Sequence, residues 1–303
     1  MNSSPATGRP IPVPHEVGAE VREAVRARSA ALLQTALARA PGWSPPPFDP
    51  RVLARVLGIP IHYRPGLGGV DALIVYRERA FHILANANVA HPGRLNFTLA
   101  HELVHTFFEG AETQIHRRAR DRRAYDRTPE GQVLEKLCDL GASELLMPSP
   151  YFDTAAGESG FVAATAPRLA ERFATSLEAT ALRLVRWNAP AACAVGFFEY
   201  ALRPSAVDAS AGRRSGAAAS EVAKYRVRRV FRSPTFPFLF PAGKSVPQES
   251  VIYRSSLGTR MLQARERFSL GAQDVTLSVS AFPLHRGDSA EEPSLVCAAF
   301  TAE

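Results

Sequence analysis

The sequence predicts an α+β protein whose helices and strands concentrate in different parts of the chain. Up to about residue 203, most segments repeat apolar residues at helical spacing, and two short runs read as strands. The stretch 204–220 is rich in Ala, Ser, Gly and Arg, which favours a linker. Beyond it the pattern becomes that of β-strands, so the chain has a mainly helical N-terminal part and a β-rich C-terminal part.

The elements follow one another in a definite order. Helices are predicted at 16–40, which is rich in alanine, and at 49–57, with the cluster Pro45-Pro46-Pro47 between them. Short strands are predicted by alternation or by brief apolar runs, at 72–76, 80–84, 225–231, 250–253, 275–281 and 295–300.

The next helix carries residues that can perform chemistry. His101 and His105 are four residues apart, so both imidazoles lie on one helix face and can bind a single zinc ion. Glu102 follows the first histidine directly and can act as general base on the attacking water. Pro92 suits the first turn of this helix, and Gly110 is a plausible end. The pattern indicates a zinc peptidase, with a chance match on an ordinary helix as the alternative.

A peptidase zinc needs a third protein ligand and keeps its fourth position for water. The metzincin spacing is excluded because Phe108 and Ala111 stand where it requires Gly and His. The other solution takes a glutamate from a following helix, and the helix-competent stretch 131–148 offers Glu135.

Asp139 shares a helix face with Glu135, so it can accept the free ring N–H of a ligating histidine. Glu144 is the rival third ligand. The alternative for Glu135, Asp139 and Glu144 is that all three lie on a solvated helix face. Cys138 is interpreted as a buried packing residue and left out of the ligand set. His116 and Tyr125 are weak candidates, as a ligand and as an oxyanion donor.

Three blocks carry a family resemblance: FTLAHELVH at 97–105, ExxCD at 135–139 and ASELLMP at 142–148. Together they resemble the ImmA/IrrE family of bacterial regulatory metallopeptidases. The resemblance implies a zincin-like metallopeptidase domain at 1–160, a helix-turn-helix-like unit at 161–203 and, beyond the linker at 204–220, a GAF-like α+β domain at 221–303. Departures from the family are the basic insert at 116–131 and Gly141, where many relatives carry a bulkier residue.

The resemblance also implies an activity. Such proteins are gluzincin-type endopeptidases that cleave a helix-turn-helix repressor and so derepress DNA-damage genes. By this reading Zn²⁺ is held by His101, His105 and Glu135, with Mn²⁺ able to enter the same ligands. For the GAF-like domain, a structural or dimerising role and a small-molecule sensor both remain open.

The segment 167–184 predicts two short helices around a tight turn, with Thr175 or Ser176 capping the second helix. It could read DNA or form a plain helical hairpin that supports the peptidase. Arg183 and Arg186 are the plausible DNA contacts on the second helix. A DNA-binding transcriptional regulator with a structural metal site is therefore the alternative function.

Composition bears on partners and compartment. The net charge is +7 and the pI about 9.7, which fits nucleic-acid binding or the arginine-rich coding bias of a high-GC genome. The densest basic run, 117–123, could steer a substrate, touch DNA or be a solvated loop. Three scattered cysteines, a polar and proline-rich start and the lack of long apolar runs predict a cytoplasmic protein with no membrane partner.

Overall fold

The computed structural model describes residues 10–67, 69–113, 115, 128–201, 224–270, 273–284 and 295–302. The chain divides into two compact units, one formed by residues 1–154 with 170–179 and the other by residues 155–169 with 180–303. The predicted linker at 204–220, the basic run at 117–123, His116 and Tyr125 lie outside the described residues. The predicted domain boundaries stay predictions.

Most of the described helices precede residue 190, and five of the described strands follow it, as expected for an α+β protein. The helices are α1 (Ala19–Arg39), α2 (Pro50–Leu57), α3 (Pro92–Val104), α4 (Pro129–Leu146), α5 (Ser149–Ser159), α6 (Thr165–Arg172), α7 (Leu177–Trp187) and α8 (Val251–Ser256). The strands are β1 (Ile61–Arg64), β2 (Ala72–Arg77), β3 (Ala80–Asn86), β4 (Cys193–Ala201), β5 (Lys224–Arg232), β6 (Leu262–Leu270), β7 (Gln273–Leu284) and β8 (Leu295–Thr301). Among the described residues, no helix combines the length and apolarity needed to cross a lipid bilayer.

The first unit contains a three-stranded sheet in the order β1-β3-β2. Strand β1 runs parallel to β3, and β2 runs antiparallel to it. The two predicted strands are confirmed as β2 and β3, whereas β1 was not predicted.

Helix α2 begins where expected, because the Asp49 side chain accepts a hydrogen bond from the Arg51 backbone N–H at 2.9 Å and Pro50 occupies the first helical position.

The helices α3 and α4 approach each other closely at Gly141. A Cβ atom there would lie 2.7 Å from both methyl groups of Val104 on α3 and 3.2 Å from a methyl group of Val25 on α1. These distances are too short for a side chain, so glycine lets α4 settle against its two neighbours. Close packing is thus a reason for glycine at position 141.

The predicted helical pair is confirmed as α6 and α7. Ser176 caps the second helix, because its hydroxyl accepts a hydrogen bond from the Ala179 N–H at 3.2 Å. The turn between the helices packs onto the start of α3: Asn96 donates to the Ala174 carbonyl at 2.9 Å, and a Cβ on Gly93 would lie 2.5 Å from the Thr175 backbone. This part of the pair therefore braces the histidine-bearing helix.

The second unit contains a five-stranded antiparallel sheet in the order β5-β4-β8-β7-β6, with α8 packed on it. Predicted strands at 225–231, 275–281 and 295–300 are confirmed, but β4 and β6 were not predicted. The strand predicted at 250–253 is wrong. Ser250 instead caps α8, accepting from the Ile252 N–H at 3.2 Å, and the Glu266 carboxylate accepts from the Val251 N–H at 2.5 Å. A short apolar run does not distinguish a strand from a buried helical turn.

Candidate metal centre

The two motif histidines lie at the end of α3. His101 occupies its last turn, and His105 begins the short 3₁₀ turn His105–Phe107 that continues it. Their ring centroids are 5.0 Å apart, and both residues are buried, with 9% and 3% of their surface exposed. The four-residue spacing therefore places both imidazoles side by side in the interior, as the sequence predicted.

The helix α4 brings Glu135 to both imidazoles. Its Oε2 lies 3.1 Å from Nε2 of His101, and its Oε1 lies 3.6 Å from Nε2 of His105. Two ligands that are each 2.0–2.1 Å from a tetrahedral zinc ion stand about 3.3 Å apart. The measured spacings bracket this value, so the donor set fits a zinc ion held by two imidazoles and one carboxylate.

Asp139 lies one helical turn beyond Glu135 and contacts the other nitrogen of His101. Its Oδ1 is 2.9 Å from Nδ1 of the imidazole. A carboxylate that accepts the Nδ1–H fixes the tautomer in which Nε2 carries the lone pair. The ring is thus oriented with Nε2 toward Glu135.

Cys138 offers a competing third donor. Its Sγ and one nitrogen of each histidine lie within 4.8 Å of one another, and the residue is fully buried. The sequence analysis left this thiol out of the ligand set and did not predict that it lies beside the imidazoles. We favour Glu135, because its two oxygens lie 3.1 and 3.6 Å from the two Nε2 atoms, near the spacing of ligands on one zinc ion.

Glu144 faces a different environment. Its Oε1 lies 3.4 Å from Nε of Arg26 on α1, and both residues line a separate groove of the first unit, about 540 Å³ in volume. This ion pair gives the buried carboxylate a positive partner away from the groups that surround the histidines. The geometry therefore favours Glu135 over its rival.

Glu102 is fully buried and contacts the neighbouring sheet. Its Oε2 accepts a hydrogen bond from the backbone N–H of Ile74 in β2 at 3.0 Å. Sequence reasoning missed this contact, because a backbone N–H brought by tertiary packing leaves no signal in a motif. The contact holds one oxygen of the predicted general base at the sheet edge.

The electrostatics of the cluster favour a cation. Burial by itself lowers the pKa of His101, but hydrogen bonds with Asp139 and Glu135 and the negative charges of Glu102 and Glu135 outweigh it and raise that pKa to about 9. The same carboxylates that favour an imidazolium also favour a divalent ion, which requires the histidine to give up its proton.

Comparison with known proteins agrees with this geometry. The model of a peptidase family, M78, described as the IrrE N-terminal-like domain, matches residues 54–185. The match runs from α2 to α7 and so includes both motif histidines, Glu135 and Asp139. The match covers less than half of the chain, and over these residues the chain is similar to that peptidase family.

Two curated relatives share the name radiation response metalloprotease IrrE. The protein from Deinococcus radiodurans is 28% identical over 151 residues, which cover 49% of this chain and 42% of the relative. The protein from Deinococcus deserti is 39% identical over 100 residues, or 31% of this chain and 33% of the relative. The chain thus matches less than half of the length of either relative.

Among solved structures, a Mycobacterium tuberculosis transcriptional regulator aligns with 93% of this chain and 80% of its own. The TM-score is 0.48 and the sequence identity 15%. At that level the alignment does not establish a shared fold.

Proposed function

We propose that the protein is a zinc-dependent, site-specific endopeptidase of the gluzincin type. Its substrate is a helix-turn-helix transcriptional repressor, and cleavage derepresses DNA-damage and radiation-response genes. The observation that carries the proposal is that the Glu135 carboxylate lies 3.1 and 3.6 Å from Nε2 of His101 and of His105, with Glu102 directly after His101 on α3. The radiation-response setting rests on the names of the Deinococcus relatives, and the repressor substrate rests on the resemblance of the three motif blocks to the ImmA/IrrE family.

Each residue of the site has a chemical task. When bound, zinc supplies a Lewis acid for the scissile carbonyl and lowers the pKa of the attacking water. His101, His105 and Glu135 would hold the ion, and Asp139 keeps the first imidazole in the ligating tautomer. Glu102 takes the proton from the attacking water and passes it to the leaving amine.

The edge of the small sheet supports the placement of an extended substrate. Strand β2 has one neighbour, β3, so its other edge is unpaired within the described sheet. The hydrogen bond from the Asn86 N–H to the Asp71 carbonyl, at 2.7 Å, fixes which residues face β3. Along an antiparallel pair, the backbone N–H and C=O groups of successive residues point alternately toward and away from the partner strand. Those of Ala72, Ile74 and Tyr76 therefore point away from β3.

A peptide could therefore add to β2 as a further strand. The Ile74 N–H on that edge already contacts Glu102, so a bound strand would run directly past the general base. This arrangement would bring the scissile bond to the carboxylate by backbone pairing, and pockets for alternate side chains would supply selectivity.

We further propose that the helical pair α6–α7 supports the peptidase rather than reading DNA. The support is the turn at 173–176, whose backbone packs against Gly93 and Asn96 of α3. Arg183 is half-buried, which leaves it poorly placed for a phosphate, whereas Arg186 is exposed.

For the C-terminal unit we propose a GAF-like module. Support comes from its five-stranded antiparallel sheet and from a cavity of about 440 Å³. Phe198, Phe240 and Phe268 line this cavity together with Lys244 and Glu266. An apolar cavity with a few charged groups suits a small ligand.

The decisive experiment incubates the purified protein, with zinc and with manganese, with the helix-turn-helix repressors of its own genome. Discrete cleavage of one repressor that disappears in Glu102→Gln would support a dedicated regulatory peptidase. No cleavage with either metal would argue against the proposal and favour the DNA-binding regulator with a structural metal site.

A further inference from the structure

A second pair of histidines lies on the small sheet of the first unit. His62 belongs to β1 and His82 to β3, two strands that are paired in parallel. Nε2 of His62 lies 3.3 Å from Nδ1 of His82, and the rings are 5.5 Å apart and inclined by 28°. Both imidazoles thus aim one nitrogen at the same small volume.

The register of the strands places this pair on the outer face of the sheet. Ile61 is paired with Ile83, which is fully buried and therefore marks the inner face. Because side chains alternate along a strand, the neighbours His62 and His82 point to the other side. His62 is exposed and His82 half-buried, so a solvated ion can reach both.

We propose that His62 and His82 form a second metal site, a two-imidazole chelate for a borderline divalent transition metal such as Zn²⁺, Ni²⁺ or Cu²⁺. Their nitrogen separation of 3.3 Å equals that of two imidazoles on one tetrahedral zinc ion, about 3.3 Å. Imidazole suits these metals, and Cu²⁺ should bind most tightly by the usual order of affinities. This site does not depend on the peptidase activity.

The backbone contributes to the strength of the site. Ladder hydrogen bonds hold β1 and β3 in register, so binding would order two side chains and no backbone. Arg64 follows on the same strand face, and its positive charge would weaken the binding of a dication. With two protein donors, water would complete the coordination, and the site should be weaker than the centre at Glu135.

The alternative is an imidazole–imidazole hydrogen bond without metal affinity, since one ring can donate to the other at this distance. The two readings differ in stoichiometry. A protein with both sites binds two equivalents of zinc, and a protein with the peptidase centre alone binds one.

Equilibrium dialysis of the full chain against increasing Zn²⁺, followed by metal analysis, tests the proposal. We expect two equivalents for the native sequence and one for His62→Asn and for His82→Asn, because each change should weaken the second site by roughly tenfold or more. His15→Asn, which changes another exposed histidine, is the matched control and should keep two.

Retention of the first equivalent in the two variants shows that the unit is folded. One equivalent in the native protein that persists in both variants, or two equivalents in either variant at position 62 or 82, overturns the proposal. The same dialysis with Cu²⁺ should give tighter second-site binding than Zn²⁺, and weaker binding would also contradict it.

Discussion

Replacement of Asp139 by Asn tests the metal centre through a residue that we place outside the ligand set. Asp139 accepts the Nδ1–H of His101 at 2.9 Å, and loss of such a partner typically lowers metal affinity 10- to 100-fold. The Asp139 side chain is 60% exposed, so water can take over part of its task. We therefore expect the lower end of this range, about tenfold, which corresponds to about 1.4 kcal/mol.

The assay is competition for zinc with a chromophoric chelator at fixed pH and ionic strength. Glu130→Gln is the matched control, because Glu130 is an exposed carboxylate on the same helix and its loss changes the net charge equally. We expect the control to bind zinc as the native protein does. Equal affinity in Asp139→Asn and the native protein, or an equal loss in both variants, would refute the role assigned to Asp139.

Three further predictions concern catalysis, ligation and packing. Glu102→Gln should lower kcat by about 10²–10⁴ while zinc content, read by metal analysis, stays at the native level. Glu135→Gln should lower zinc affinity about hundredfold or more, whereas Glu144→Gln should leave it unchanged; a reversal in chelator competition would make Glu144 the ligand. Gly141→Ala should destabilise the fold by about 1–2 kcal/mol in urea unfolding, since overpacking costs about 1–3 kcal/mol and helix propensity returns up to about 1. Gly157→Ala, where an added Cβ meets nothing within 4 Å, should instead stabilise it slightly.

The parts of the site that sequence predicted are those fixed by local geometry. A four-residue spacing on a helix determines a shared face, so the positions of His101 and His105 relative to each other followed from the motif. The same rule linked Glu135 to Asp139 on α4. The sequence favoured Glu135 over Glu144 because only Glu135 brings a second carboxylate that can accept a histidine N–H. The ion pair between Glu144 and Arg26 is an independent reason for the same choice.

Contacts between elements were beyond the reach of sequence patterns. The Ile74 N–H reaches Glu102 because β2 lies at the edge of its sheet and beside α3, and no spacing in the chain encodes that proximity. Cys138 was read correctly as buried, but burial alone did not reveal that it borders both imidazoles. The strand predicted at 250–253 failed for a related reason, because Glu266 on β6 stabilises a helix start there.

The close packing at Gly141 and the metal centre depend on the same pair of helices. Val104, whose methyl groups fill the space beside Gly141, stands between His101 and His105 on α3, while Glu135 and Asp139 precede Gly141 on α4. A bulkier residue at 141 would push the two helices apart and so lengthen the distances that join Glu135 to both imidazoles. Zinc affinity should therefore fall together with folding stability in Gly141→Ala, and a variant that lost stability but kept native zinc affinity would show that the two are independent.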